Sequence, residues 1–116
     1  AVVIACFDDT GLVELRARSD LPITGIGEAA YRLAAETATP FSVVTTLAVS
    51  IPVLEYNIKS YGLAASCARV RASEVPVLDI ERHPRESLSR IGAEIAAWPI
   101  WRGSSRTNIL SLLSRA

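Results

Sequence analysis

Ala1-Val2-Val3-Ile4-Ala5-Cys6-Phe7-Asp8-Asp9-Thr10-Gly11-Leu12 carries the main fold signal of this 116-residue chain. Val2 to Cys6 is a continuous apolar run rich in β-branched residues, which predicts a strand buried on both faces, as in a parallel sheet. Asp8-Asp9-Thr10-Gly11 is a polar turn. Beyond it Leu12 and Leu15, with Val13, recur at helical spacing. Thr10 is the expected N-cap, and Glu14 falls near the first turn, where the helix dipole favours a carboxylate.

The same grammar repeats along the chain. Pro22 to Ile26 reads as a second short strand, followed by a helix over Glu28 to Ala38 built from strong helix formers. After Pro40, Phe41 to Thr46 is another buried strand. Ser50 and Pro52 mark a helix start, with Val53, Leu54, Ile58 and Tyr61 on its apolar face and Gly62 as its stop. Cys67 to Arg71 holds a short strand candidate, and Pro76 predicts extended backbone over Val75 to Leu78. A last helix is expected from Pro84 to Ala97, with Leu88, Ile91 and Ile95 on one face. From Trp98 to Arg106 the periodicity disappears, and Thr107 to Arg115 fits a short amphipathic helix. Short strands alternating with helices predict an α/β fold of parallel-sheet layers with flanking helices. Val2–Gly11 and Phe41–Ser50 also resemble each other weakly.

Composition narrows the function. Twelve basic residues balance twelve acidic ones, half the chain is hydrophobic, and the pI is near 6.8. A nucleic-acid partner is not expected, because phosphate binding needs a basic face. No apolar run approaches the ~20 residues that span a bilayer, so no membrane association is expected. Cys6 and Cys67 make no disulfide framework, and free thiols fit a cytoplasmic protein. The single His83 lies far from both in sequence, so a Cys/His metal cluster is not expected.

In parallel α/β folds ligands bind beyond the carboxyl ends of the strands. Cys6 stands at such an end, just before a helix start whose amides and dipole favour thiolate. The alternative is a core cysteine. Asp8 and Asp9 either orient a substrate or form a solvated turn and cap. Thr45 and Thr46, at the end of the third strand, either bind a small substrate or are strand residues and a cap. Glu28 either meets a substrate N–H or serves the first turn of its helix. Gly25-x-Gly27 lacks the third glycine of a dinucleotide fingerprint. Cys67 reads as an ordinary cysteine and His83 as a solvated loop residue. There is no Ser/His/Asp triad, P-loop or zinc site.

Several blocks together resemble the Asp/Glu/hydantoin racemase family, in its hydantoin racemase branch. They are Ile4 to Leu12, Gly25-Ile26-Gly27-Glu28-Ala29-Ala30, Phe41 to Leu47, Tyr61-Gly62-Leu63 and Val70 to Leu78, in order across residues 1–97. The resemblance implies a two-lobed α/β fold with pseudo-twofold symmetry and a cofactor-independent site between the lobes. One cysteine removes the proton from C5 of a 5-monosubstituted hydantoin and another delivers one to the opposite face. The chemistry is sound, because the adjacent carbonyl makes the carbanion an enolate that N–H donors stabilise.

By this resemblance Cys6 is one catalytic cysteine, and Asp8, Asp9, Thr45 and Thr46 line the substrate pocket, with no metal. Cys67 does not match the second cysteine, which belongs to a strand end expected just beyond residue 97. Val49 stands where many relatives carry a basic residue. Residues 1–39 are then part of a first lobe, 40–97 part of a second, and 98–116 an atypical tail. The expectation is an incomplete two-lobed fold from a truncated racemase, inactive by itself, with a hydantoin-like small molecule as substrate and a homo-oligomeric state. Allantoin or amino-acid racemisation, or a non-catalytic α/β remnant, are the alternatives.

Overall fold

The structure, a computed structural model, describes residues 1–37 and 40–97. These are α/β with parallel strands, and they form two compact units. One comprises Ala1–Val43 and Ser50–Val70; the other comprises Val44–Val49 and the chain from Arg71 onward. β3 and β4 each have residues in both units. The segment 98–116 lies outside the described residues.

The first unit starts with β1 (Val2–Ile4), α1 (Leu12–Arg18) and β2 (Ile23–Gly25). β1 and β2 pair in parallel, Val2 opposite Ile23 and Ile4 opposite Gly25. The expected burial of β1 on both faces is not observed. Val2 and Val3 are 40% and 64% exposed, because the two-stranded sheet has only β2 beside it and no layer over these side chains among the described residues. α1 likewise buries Leu12 alone and leaves Val13 and Leu15 exposed. Its N-cap is Gly11, in the left-handed region at φ 80°, and not Thr10. Thr10 is displaced from that role because the chain turns once more after Asp9, and its hydroxyl faces Cys6 instead.

α2 (Ile26–Thr37) follows β2 without a loop and begins two residues before the expected start at Glu28. The reason is tertiary: Asp9 accepts the N–H groups of Gly27 and Glu28, satisfying two donors that a helix start leaves unpaired. Glu28 then bonds Arg16 of α1 and Arg32 one turn on, while Arg16 also donates to the Ile23 carbonyl. One buried carboxylate thus ties α1, β2 and α2 together.

Beyond β3 (Phe41–Thr45) and a single 3-10 turn (Ala48–Ser50), α3 (Ile51–Ser60) ends as expected at Gly62, φ 76°. Ser50 occupies the N-cap position but makes no side-chain cap bond. β4 (Cys67–Ala72) pairs with β3; Phe41 N–H donates to the Ser66 carbonyl where both strands start. The core of the unit is Tyr31, Phe41, Val43, Leu54, Ile58 and Val70. Tyr31 stacks on Phe41 and is met edge-on by Phe7.

In the second unit the ends of the same strands are bonded, Ser73 N–H to the Thr45 carbonyl and Val75 N–H to the Thr46 carbonyl. With the bond at their starts, this gives β3 and β4 one direction. Val77 and Leu78 are helical, not extended, within α4 (Val77–Arg82). Pro76 restricts itself and the residue before it, but it is tolerated at the N-cap and does not hold the residues that follow out of a helix. α5 (Pro84–Ala96) follows the expected boundaries, yet Ser87 and Gly92 are buried while Leu88, Ile91 and Ile95 are half-buried. Arg71 of β4 pairs with Glu94 of α5.

Candidate functional site: the Cys6 turn

Cys6 is solvent-exposed, two residues past the end of β1. Its sulfur lies 3.7 Å from the Thr10 hydroxyl. That hydroxyl, followed by the backbone N–H groups of Asp8 and Thr10, holds the thiol below its ordinary value of 9.0, while the Asp8 carboxylate opposes them. The sulfur thus meets a hydroxyl donor without being buried, a setting that favours thiolate over thiol.

Each of the next three residues is fastened to another element of the same unit. Phe7 packs edge-on against Tyr31 of α2, ring centroids 5.4 Å apart. The Asp8 carbonyl accepts Asn57 Nδ2 of α3 at 2.7 Å. Asp9 is buried, and its backbone is left-handed at φ 51°, a conformation Asp tolerates better than most residues. Its Oδ1 accepts Gly27 N–H at 3.0 Å; its Oδ2 accepts Glu28 N–H at 2.7 Å and the Tyr61 hydroxyl at 2.8 Å. Burial, then the bond to Asp9, pushes the Tyr61 hydroxyl up, so it remains a donor.

This arrangement explains Gly25 and Gly27. A Cβ on Gly25 would overlap the Asp9 carboxylate, and one on Gly27 would overlap the Phe7 carbonyl and the same carboxylate. The glycines allow the close approach of an internal anion, the role that such residues play for phosphate in nucleotide sites.

Of the sequence candidates, Cys6, Asp8 and Asp9 come together in this turn. Asp9 spends its carboxylate on three donors of the fold, which is the turn-and-cap arrangement. Thr45 and Thr46 are half-buried in the second unit, where Ser73 and Val75 hold their carbonyls. Glu28 is engaged by two arginines, and Cys67 packs against the core. Burial pushes the Cys67 thiol up. His83 is exposed. Among the described residues no group of His, Cys, Asp and Glu has the makings of a metal site, and no helix is long and apolar enough to cross a membrane. Asn57 carries no sequence signal for its part in the turn. Tyr61 reads only as part of an apolar helix face, although a tyrosine on such a face brings a hydroxyl that needs a partner.

The sequence model of Asp/Glu/Hydantoin racemase matches residues 1–98. The chain belongs to the Asp/Glu/hydantoin racemase family. It is 42% identical over 87 residues to a hydantoin racemase of Rhizobium meliloti, covering 75% of this chain and 36% of that protein. With a hydantoin racemase of Pseudomonas sp. (strain NS671) it shares 38% identity over 94 residues, covering 81% and 38%. The allantoin racemase from Klebsiella pneumoniae superimposes with a TM-score of 0.74 at 34% identity, over 81% of this chain and 38% of that one. For the allantoin racemase from Pseudomonas fluorescens the TM-score is 0.76 at 34% identity, over 79% and 39%. The α/β fold is therefore the racemase fold, and the chain spans less than two fifths of the length of these relatives.

Proposed function

We propose that the chain carries one half of a cofactor-independent proton-transfer site for racemising 5-monosubstituted hydantoins, with the Cys6 thiolate as one acid/base. The observation that carries this reading is the exposed sulfur just past a strand end, 3.7 Å from the Thr10 hydroxyl that helps hold its thiol down. A thiol held below its usual range becomes a thiolate at lower pH than an ordinary cysteine, and as a thiol it returns the proton readily. The C5–H of a hydantoin is acidified by the adjacent ring carbonyl, so such a base suffices. Asp8 stands beside the sulfur in the turn, and Asp9 holds that turn to α2. Membership of a family whose relatives include hydantoin and allantoin racemases supports the reaction class, with allantoin, itself a 5-substituted hydantoin, as the neighbouring substrate.

Inversion requires a second acid on the opposite face. Cys67 does not suit that part, because it lies against the core with its thiol pushed up. The 116-residue chain is therefore expected to leave the optical rotation of a single enantiomer of 5-isopropylhydantoin at its spontaneous rate of decay. In the same preparation, iodoacetamide is expected to alkylate Cys6 with a pH midpoint below 9.0 and well ahead of Cys67. Racemisation that persists after Cys6→Ser, or a Cys6 that labels slowly with an ordinary midpoint, would sink the proposal; the latter result would favour a non-catalytic domain.

A further inference from the structure

We propose that Asp9, Tyr61 and Asn57 are positioning residues for the Cys6 thiol, acting as a clamp that fixes the turn setting the Thr10 hydroxyl against its sulfur. The inference rests on the reading of Cys6 as an acid/base and extends it to residues that touch no reacting atom. The geometry is specific. The Thr10 hydroxyl, 3.7 Å from the sulfur, belongs to the residue after Asp9, and the Asp9 N–H closes the turn on the Cys6 carbonyl at 3.0 Å. Asp9 is buried and left-handed, a conformation that costs energy and persists only when the surroundings over-determine it.

Those surroundings come from two helices. The start of α2 gives the carboxylate two backbone N–H groups, and Tyr61, at the C-cap of α3, gives it a hydroxyl. One turn earlier, Asn57 of α3 holds the Asp8 carbonyl. The Asp9 carbonyl accepts Leu12 N–H at 3.0 Å, which closes the turn around Thr10. Gly25 and Gly27 leave room for the carboxylate to reach α2. The charged and titratable groups around Cys6 in this turn are Asp8, which opposes the thiolate, and the clamped Asp9 and Tyr61.

The clamp is tested by the pH profile of Cys6 alkylation in the full chain, compared with Tyr61→Phe and Asn57→Ala. Tyr61→Phe keeps the ring that packs on Tyr31 and removes only the hydroxyl. Both substitutions are expected to move the Cys6 midpoint upward and to slow its alkylation near neutral pH by roughly 3- to 10-fold, the effect of half to one pKa unit. Slow Cys67 labelling and an unchanged circular dichroism spectrum report that the fold is retained. A low wild-type midpoint that neither substitution moves overturns the clamp while leaving Cys6 as the acid/base. An ordinary wild-type midpoint overturns both. Should one variant unfold, the other decides by the same criterion.

Discussion

At Cys6 the sulfur meets the Thr10 hydroxyl, which holds its thiol down, whereas Cys67 packs against the core and burial pushes its thiol up. Identical side chains are shifted in opposite directions by their neighbours. Tyrosines diverge in the same way. Tyr61 gives its hydroxyl to Asp9, but the Tyr31 hydroxyl, 2% exposed, has no hydrogen-bond partner among the described residues. An unpaired buried hydroxyl costs about 1–3 kcal/mol, and removing it relieves that cost while the ring stays in its aromatic cluster. Tyr31→Phe is accordingly expected to leave stability unchanged or raise it by about 1 kcal/mol in urea unfolding. A loss exceeding about 1 kcal/mol would mean that the hydroxyl is bonded in solution.

Among the elements, α2 does more than pack. Its first amides hold Asp9, and its Glu28, inside the same turn, holds Arg16 of α1. Burial alone would raise the Glu28 carboxyl, but the bonds and charges of Arg32 and Arg16 outweigh it and hold the group below the ordinary value of 4.5. The sign follows from linkage. A carboxyl whose folded value is depressed stabilises the fold above its unfolded value, and that contribution is lost as pH falls through the folded one. Stability is thus expected to decline below about pH 4.5, and Glu28→Gln to flatten the decline while lowering stability near neutrality. Urea midpoints measured across that range check it; parallel curves for both proteins would rule the linkage out.

On the scale of the molecule, the first unit is held by a single cluster around Leu54, which has no exposed surface. Leu54→Ala is expected to cost about 2–5 kcal/mol through lost contacts and the cavity left behind. That is a large share of the ~5–15 kcal/mol by which domains are stable. Thermal unfolding followed by circular dichroism measures it, and a drop of only a degree or two would show the cluster is not the keystone of that unit. Exposed Val2 and Val3 belong to the same picture, since β1 has the composition of a covered strand while these described residues leave it open.

Several features were legible from residues alone. The alternation of β-branched runs with helical periods announced α/β, Gly62 announced the end of α3, and the Asp8–Gly11 turn announced the break between β1 and α1. Each of these rests on sterics and periodicity acting within a few neighbours. Other features came only with the tertiary structure. Asp9 reads either as a substrate-orienting residue or as a solvated turn and cap until its partners 18 to 52 positions away are brought to it. The early start of α2, the eviction of Thr10 from its cap and the part played by Asn57 follow from the same closure. A buried carboxylate takes its donors from wherever the folded chain presents them, and separation along the sequence carries no trace of that choice.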